Sequence, residues 1–253
     1  MTGLEQAAIV VTGLVAGVMT STVGVASLLS FPVLVALGIP PVVANASNTV
    51  GMVPASLSGS VGYREELRVH PKVTAAVITT CAAGAVLGAA LLLALPAEVF
   101  EAIVPWLILG TCLLVGAQPR ISRWLRRTHD DTPAEHVRLS PPTTVFATLV
   151  GVYGGYFGAG SGVMMMAVLG LGSNLEFRVV NALKTLAILA SNLVATVIFV
   201  LVAELDWRAA LLLAAGSVVG GYVGARVGRR VNPTLLRSLI VLVGVTAAAS
   251  MIL

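Results

Sequence analysis

Charge is scarce in this 253-residue chain: Asp, Glu, Lys and Arg together make up 10% of it, against about 25% in soluble domains. That shortage excludes the surface of an ordinary soluble protein. Cysteine is scarcer still, with only Cys81 and Cys112, both inside apolar runs, so a disulfide scaffold is excluded. Disorder is incompatible with a chain that is 57% hydrophobic. The eleven carboxylates and three histidines fall in loops or at the ends of apolar runs, which leaves no acid–base pair or zinc set at membrane depth. Ser161 lies in G-A-G-S-G rather than G-x-S-x-G, and no phosphate-binding P-loop is present. The expectation is a protein that is not an enzyme and carries no cofactor.

What the chain has instead is long apolar runs. Residues 6–63 contain no Asp, Glu, Lys or Arg, and charge-free runs follow at 73–97, 102–119, 139–175, 209–225 and 238–253. The run 179–203 is interrupted only by Lys184. A membrane-crossing helix needs about 20 mainly apolar residues, and the alternating ten-residue segments of a β-barrel are missing. These runs predict an all-α polytopic membrane protein. Residues 1–6 lack a basic flank and include Glu5, so the first run is expected to stay in the mature chain rather than serve as a cleaved signal.

The two halves repeat each other. Gly17, Gly24 and Gly38 recur 134 positions later as Gly151, Gly158 and Gly172. After a two-residue insertion, Asn45-Ala46-x-x-Thr49 matches Asn181-Ala182-x-x-Thr185, and Gly84 and Gly88 match Gly220 and Gly224. Each half opens with a stretch of about 34 residues, too long for one crossing and too short for two. Each stretch has a small-residue break, at residues 23–27 and 158–162.

The basic residues choose between a long broken helix and a re-entrant hairpin. With hairpins followed by three transmembrane helices per half, Arg64, Arg68, Lys72, Arg120, Arg123, Arg126, Arg127, Arg138, Arg178, Arg226, Arg229, Arg230 and Arg237 share one side. That places 13 of the 15 basic residues on one face, as the positive-inside rule demands. With single crossings the split is nine against five. An odd number of crossings per half makes the repeats inverted, a plan shared by many secondary transporters. The expected division is a first membrane repeat at 1–119, a cytoplasmic basic linker at 120–140 and a second membrane repeat at 141–253. The net charge of +4 then marks orientation, and no nucleic acid is implied.

Several motifs carry a family resemblance. They are Gly24 followed by Ser30-Phe31-Pro32-Val33-Leu34, then Leu37-Gly38-Ile39-Pro40-Pro41 and Ala44-Asn45-Ala46-Ser47-Asn48. In the second half they are the run from Gly151 to Gly162, Asn181-Ala182-Leu183-Lys184, Asp206-Trp207, and Gly220-Gly221-Tyr222-Val223-Gly224-Ala225-Arg226. In these, over nearly its whole length, the chain resembles the TauE/SafE sulfite exporter family. The resemblance implies an inner-membrane carrier of small sulfur oxyanions or sulfonates. The family often has a glycine run in the first hairpin, where this chain keeps only Gly24, so close backbone approach to a ligand is expected to be less symmetric than the repeat.

Lys184 is the one formal charge well inside an apolar run. A lysine at a helix centre costs roughly 2.5–3.5 kcal/mol on insertion scales, which favours a contact to an anionic substrate over snorkelling toward the end marked by Arg178. The broken tips offer helix N-terminal N–H groups, which suit anions. Gly24, Gly158, Gly160, Ser161 and Gly162 are therefore candidate substrate-binding residues, with close helix packing as their other role. Asn45, Asn48 and Asn181 join them as polar groups on the helices after each hairpin, Asn45 and Asn181 at matching places in the repeats, with interhelical hydrogen bonding as the alternative. Gly84, Gly88, Gly220 and Gly224 read as packing positions. The expected partners are a small anion and the lipid bilayer; coupling to protons or another ion, and a homo-oligomer, are compatible with this reading. An anion channel and a non-transporting membrane assembly subunit are the competing functions.

Overall fold

The structure is a computed structural model that describes residues 1–129, 139–227 and 233–252. Residues 130–138 of the 120–140 linker, Arg138 among them, lie outside the described residues, as do Arg229 and Arg230. Among the described residues every element is an α-helix: α1 Gly3–Thr22, α2 Ser27–Ala36, α3 Pro41–Gly62, α4 Arg64–Val69, α5 Pro71–Ala94, α6 Ala97–His129, α7 Pro141–Tyr156, α8 Ser161–Gly172, α9 Phe177–Val202, α10 Trp207–Val227 and α11 Pro233–Ile252. Among the described residues, five stretches are long and apolar enough to cross a membrane: Gly3–Thr22, Pro71–Ala94, Ala97–Arg123, Phe177–Val202 and Trp207–Gly224. The protein is an all-helical membrane protein.

Local chemistry sets the helix ends. Thr2 and Glu5 form a reciprocal capping box at the start of α1. Helices α3, α5 and α7 begin on prolines, whose missing N–H costs nothing in a first turn. Helix α6 continues past Arg120 to His129, so the first part of the expected linker extends a transmembrane helix.

The order of elements is the same in both halves, a broken pair followed by three longer helices, with the short α4 added in the first. The broken pairs have unequal arms: α1 and α2 have 20 and 10 residues, α7 and α8 have 16 and 12. At 1.5 Å per residue α1 is about 30 Å long, enough to cross a bilayer alone.

The halves are interleaved rather than side by side. Helix α1 packs along α10, and its counterpart α7 packs along α5; α3 meets α9 and α10, and α9 meets α3 and α5. Helix α2 touches α11, as α8 touches α6. Each of these contacts therefore has a partner under exchange of the repeats. The α5–α7 and α1–α10 seams are lined with glycine. A Cβ on Gly84 would lie 2.7 Å from the Val152 nitrogen, and one on Gly88 2.7 Å from the Tyr156 nitrogen. On Gly220 it would lie 2.8 Å from the Leu14 carbonyl carbon, and on Gly224 2.8 Å from Val18 Cα. Backbone meets backbone at these positions, so their role is packing.

Candidate functional site

The two breaks fall at equivalent places. Helix α1 ends at Thr22 and α7 at Tyr156, 134 positions later, while α2 and α8 restart at Ser27 and Ser161. Gly24 and Gly158 adopt left-handed φ values of 83° and 79°, which only glycine takes without strain. Their N–H groups donate to the Met19 and Tyr153 carbonyl oxygens at 2.8 and 3.0 Å, again 134 positions apart. Gly160 adds a second left-handed residue, φ 78°, to the second break alone.

These turns bring the starts of α2 and α8 together. A Cβ on Gly162 would lie 3.0 Å from the Gly24 carbonyl oxygen. Between them is a cavity of about 10 Å³ lined by Thr20, Gly24, Ala26, Ser27, Met52, Ser56, Gly158, Ser161, Ile188 and Asn192. Eight of these ten form four repeat-equivalent pairs: Gly24 with Gly158, Ser27 with Ser161, Met52 with Ile188, and Ser56 with Asn192. The cavity therefore lies where the two repeats meet symmetrically. Among the described residues, no backbone acceptor takes the N–H groups of Val25, Ala26 and Ser27 at the first break. The same holds for Ala159, Gly160 and Gly162 at the second. Two helix N-termini with open donors face one small polar space, an arrangement that favours negative charge. The volume holds about one water, so an oxyanion enters only if the breaks move apart.

Lys184 comes from α9 and is 1% exposed. Its Cδ, Cε and Nζ all lie 3.5 Å from a Cβ built on Gly24, and its Cγ 3.3 Å from one built on Gly162, so its side chain touches both breaks. Nζ donates to Asn181 Oδ1 at 2.7 Å, and Asn181 Nδ2 donates to the Tyr63 hydroxyl at 2.9 Å. Among the described residues no carboxylate pairs with Lys184. A buried ammonium with one neutral partner retains most of its demand for an anion.

The candidates from sequence separate into groups. Gly24, Gly158 and Ser161 line the cavity. Gly162 packs between Gly24, Ile188 and Lys184, while Gly160 presses on Thr111 of α6. Asn181 holds Lys184. Asn45 and Asn48 stand away from the cavity: Asn45 Nδ2 donates to the Tyr156 carbonyl at 2.9 Å, and the Asn48 amide meets Ser30 Oγ.

Sequence reasoning missed Ser56 and the supports of the breaks. Continuing the 136-position offset past Thr49 would have paired Ser56 with Asn192. No sequence signal marks the supports. Gln118 Nε2 of α6 donates to the Val23 carbonyl at 3.1 Å. Two turns earlier, Thr111 Oγ1 donates to the Ala159 carbonyl at 3.1 Å, which also accepts from the Tyr153 hydroxyl at 2.6 Å. Phe31, Phe100, Tyr153, Tyr156 and Phe157 back the second break with edge-to-face rings, the closest pair being Phe31 and Phe157 at 5.3 Å.

Fold and site together define a polytopic helical membrane protein with a small polar centre between two broken helices. Comparison with known proteins places it more closely. The family model "Sulfite exporter TauE/SafE" matches residues 9–251, and the chain belongs to this family of membrane transporters. It is 28% identical over 242 residues to a probable membrane transporter protein ORF9 of Sinorhizobium sp, covering 94% of this chain and 88% of that protein. It is 26% identical over 242 residues to a probable membrane transporter protein of Haemophilus influenzae, covering 95% and 91%. It is 26% identical over 241 residues to the probable membrane transporter protein YfcA of Escherichia coli K12, covering 94% and 86%. No solved structure matches the chain.

Proposed function

We propose that this protein is a secondary carrier of small sulfur oxyanions or organosulfonates, and that it works by alternating access to the space between the two breaks. The observation that carries this reading is the cavity itself, lined by four repeat-equivalent pairs, faced by two helix N-termini and flanked by Lys184. In this reading the repeats are inverted about a two-fold axis in the membrane plane, so the site is reached from one face when one repeat tilts and from the other when its counterpart does. Lys184 and the free N–H groups balance the anion, while Ser27, Ser161, Ser56 and Asn192 orient its oxygens. The basic 120–140 segment lies in the cytoplasm, between repeats 1–119 and 141–253 of an inner-membrane protein. The chemistry is binding and release without covalent change.

The test is flux into proteoliposomes over a panel of sulfite, thiosulfate, sulfonates and carboxylates. Saturable flux of sulfur anions that falls strongly in Lys184→Met, with the variant still folded, supports the carrier. Non-saturating flux without counter-transport turns the reading to a channel, and no flux with any anion removes it. Reporters fused to the C-terminus and inserted in the linker test the topology: both on the cytoplasmic side would overturn the inverted arrangement.

A further inference from the structure

Asn45 and Asn48 of α3 occupy the places that Asn181 and Lys184 occupy in α9, 136 positions later. Both asparagines are fully buried, at 1% and 0% exposure. Yet Asn45 Oδ1 and Asn48 Nδ2 have no hydrogen-bond partner. Leaving such groups unpaired in a low-dielectric interior is costly.

The surroundings decide which atoms are really in want. Asn45 Nδ2 donates to the Tyr156 carbonyl, which fixes that amide and leaves Oδ1 as an acceptor without a donor. Ser30 Oγ has one proton and two acceptors near it, the Ala26 carbonyl at 3.3 Å and the Asn48 amide. Turning the Asn48 amide over lets Nδ2 donate to Ser30 Oγ, whose own proton goes to Ala26. That gives the Asn48 nitrogen a partner and leaves Asn48 Oδ1 free, and an under-satisfied carbonyl is the commoner exception in folded proteins. Two carbonyl oxygens one helical turn apart then lack a positive partner. In the other repeat the equivalent oxygen, Asn181 Oδ1, has one: the Lys184 ammonium.

We infer that Asn45 Oδ1 and Asn48 Oδ1, with Ser30 Oγ, form a site for a small monovalent cation, Na⁺ being the probe, which takes in the first repeat the place that the tethered Lys184 ammonium takes in the second. Neutral oxygen ligands without a carboxylate suit one positive charge and not two. The N-terminus of α3 opposes a cation here, as the N-terminus of α9 does for Lys184, so the carbonyls must supply the compensation in both halves. The cation site gives the proposed carrier a coupling ion and rests on the same repeat equivalence, but its test uses no anion, so failure of one does not imply failure of the other.

The test is the thermal midpoint of the purified full-length protein in NaCl against choline chloride at equal ionic strength. A ligand bound only by the folded state raises the midpoint saturably. The wild type is expected to gain several degrees with Na⁺. Asn48→Lys, which ties a cation in place as the second repeat does, is expected to lose that response. Asn45→Asp adds a charged ligand and is expected to lower the half-saturating Na⁺ concentration about tenfold, roughly 1.4 kcal/mol. Equal midpoints in NaCl and choline for the wild type would overturn the site and assign the oxygens to a buried water. A wild-type Na⁺ response in Asn48→Lys would overturn it too, and if that variant does not fold, an unmoved half-saturation in Asn45→Asp does so.

Discussion

The first break uses one left-handed glycine, Gly24, where the second uses two, Gly158 and Gly160. Around the first lie Lys184 and Gln118; around the second, Thr111, Tyr153 and a group of aromatic rings. The backbone turns match and their surroundings do not. Repetition has kept what the chain path needs, two glycine-closed helix ends facing each other, while the contacts around them have diverged. A charge on a flexible stem lies against both breaks, while only the second has a rigid aromatic backing. Under the carrier reading the two breaks respond differently to an anion, so outward and inward states are not mirror images in energy.

The largest effect should come from the feature the halves share most closely. Gly88→Leu in the α5–α7 seam and Gly220→Leu in the α1–α10 seam each set a side chain against backbone, at a cost of about 3 kcal/mol or more. Loss of monodisperse protein by size-exclusion chromatography is expected for both. Survival of only one would show that the seams are not equivalent.

Next comes the sharpest difference between the halves. Lys184→Met is expected to lower anion flux about 10- to 100-fold, the worth of one charged hydrogen bond. Asn48→Met at the matching position removes a ligand of the proposed cation site and should lower flux only where Na⁺ drives it, whereas the Lys184→Met loss should be the same with and without Na⁺. At the breaks, Gly24→Ala forces a left-handed alanine at a cost of roughly 1–2 kcal/mol. Gly160→Ala adds an overlap with Thr111 Cγ2 to the same strain, so its thermal midpoint should fall further.

Among the supports, Gln118→Leu leaves the Val23 carbonyl without that donor and should cost about 1 kcal/mol. Thr111→Val should cost less, because Tyr153 still donates to Ala159; denaturant or thermal unfolding distinguishes them. The smallest change is expected for Ser27→Ala and Ser161→Ala, a two- to threefold rise in KM for transport, similar in the two variants. Unequal rises would show that the anion sits off the symmetric centre.

Much of this was legible in the residues. The spacing of Gly24 and Gly158 located both breaks, because a glycine inside an apolar run is a local conformational signal that needs no tertiary context. Gly84, Gly88, Gly220 and Gly224 read correctly as packing for a different reason, their four-residue spacing of small residues on long helices, which lets another helix come close. Lys184 was conspicuous as the one charge in its run, and it lies against both breaks. Asn45 and Asn48 read as equivalents of Asn181 and Lys184, but their partners differ, since a side chain's hydrogen bonds depend on what another helix brings to it. The Tyr153 hydroxyl holds the second break through Ala159, a contact six positions along the chain that only the turn between them creates.

The sequence by itself determined that the chain is helical and membrane-embedded, that it is built twice, and where each repeat breaks. Those properties follow from apolar run length and from the backbone freedom of single glycines, both of them local. Only the tertiary structure decided that the halves interleave, that the two breaks share one cavity, and which polar atoms are paired. Asn45 meets Tyr156 across 111 positions, Asn181 meets Tyr63 across 118, and Gln118 meets Val23 across 95. Such pairings arise when helices pack, and no short-range pattern in the chain encodes them.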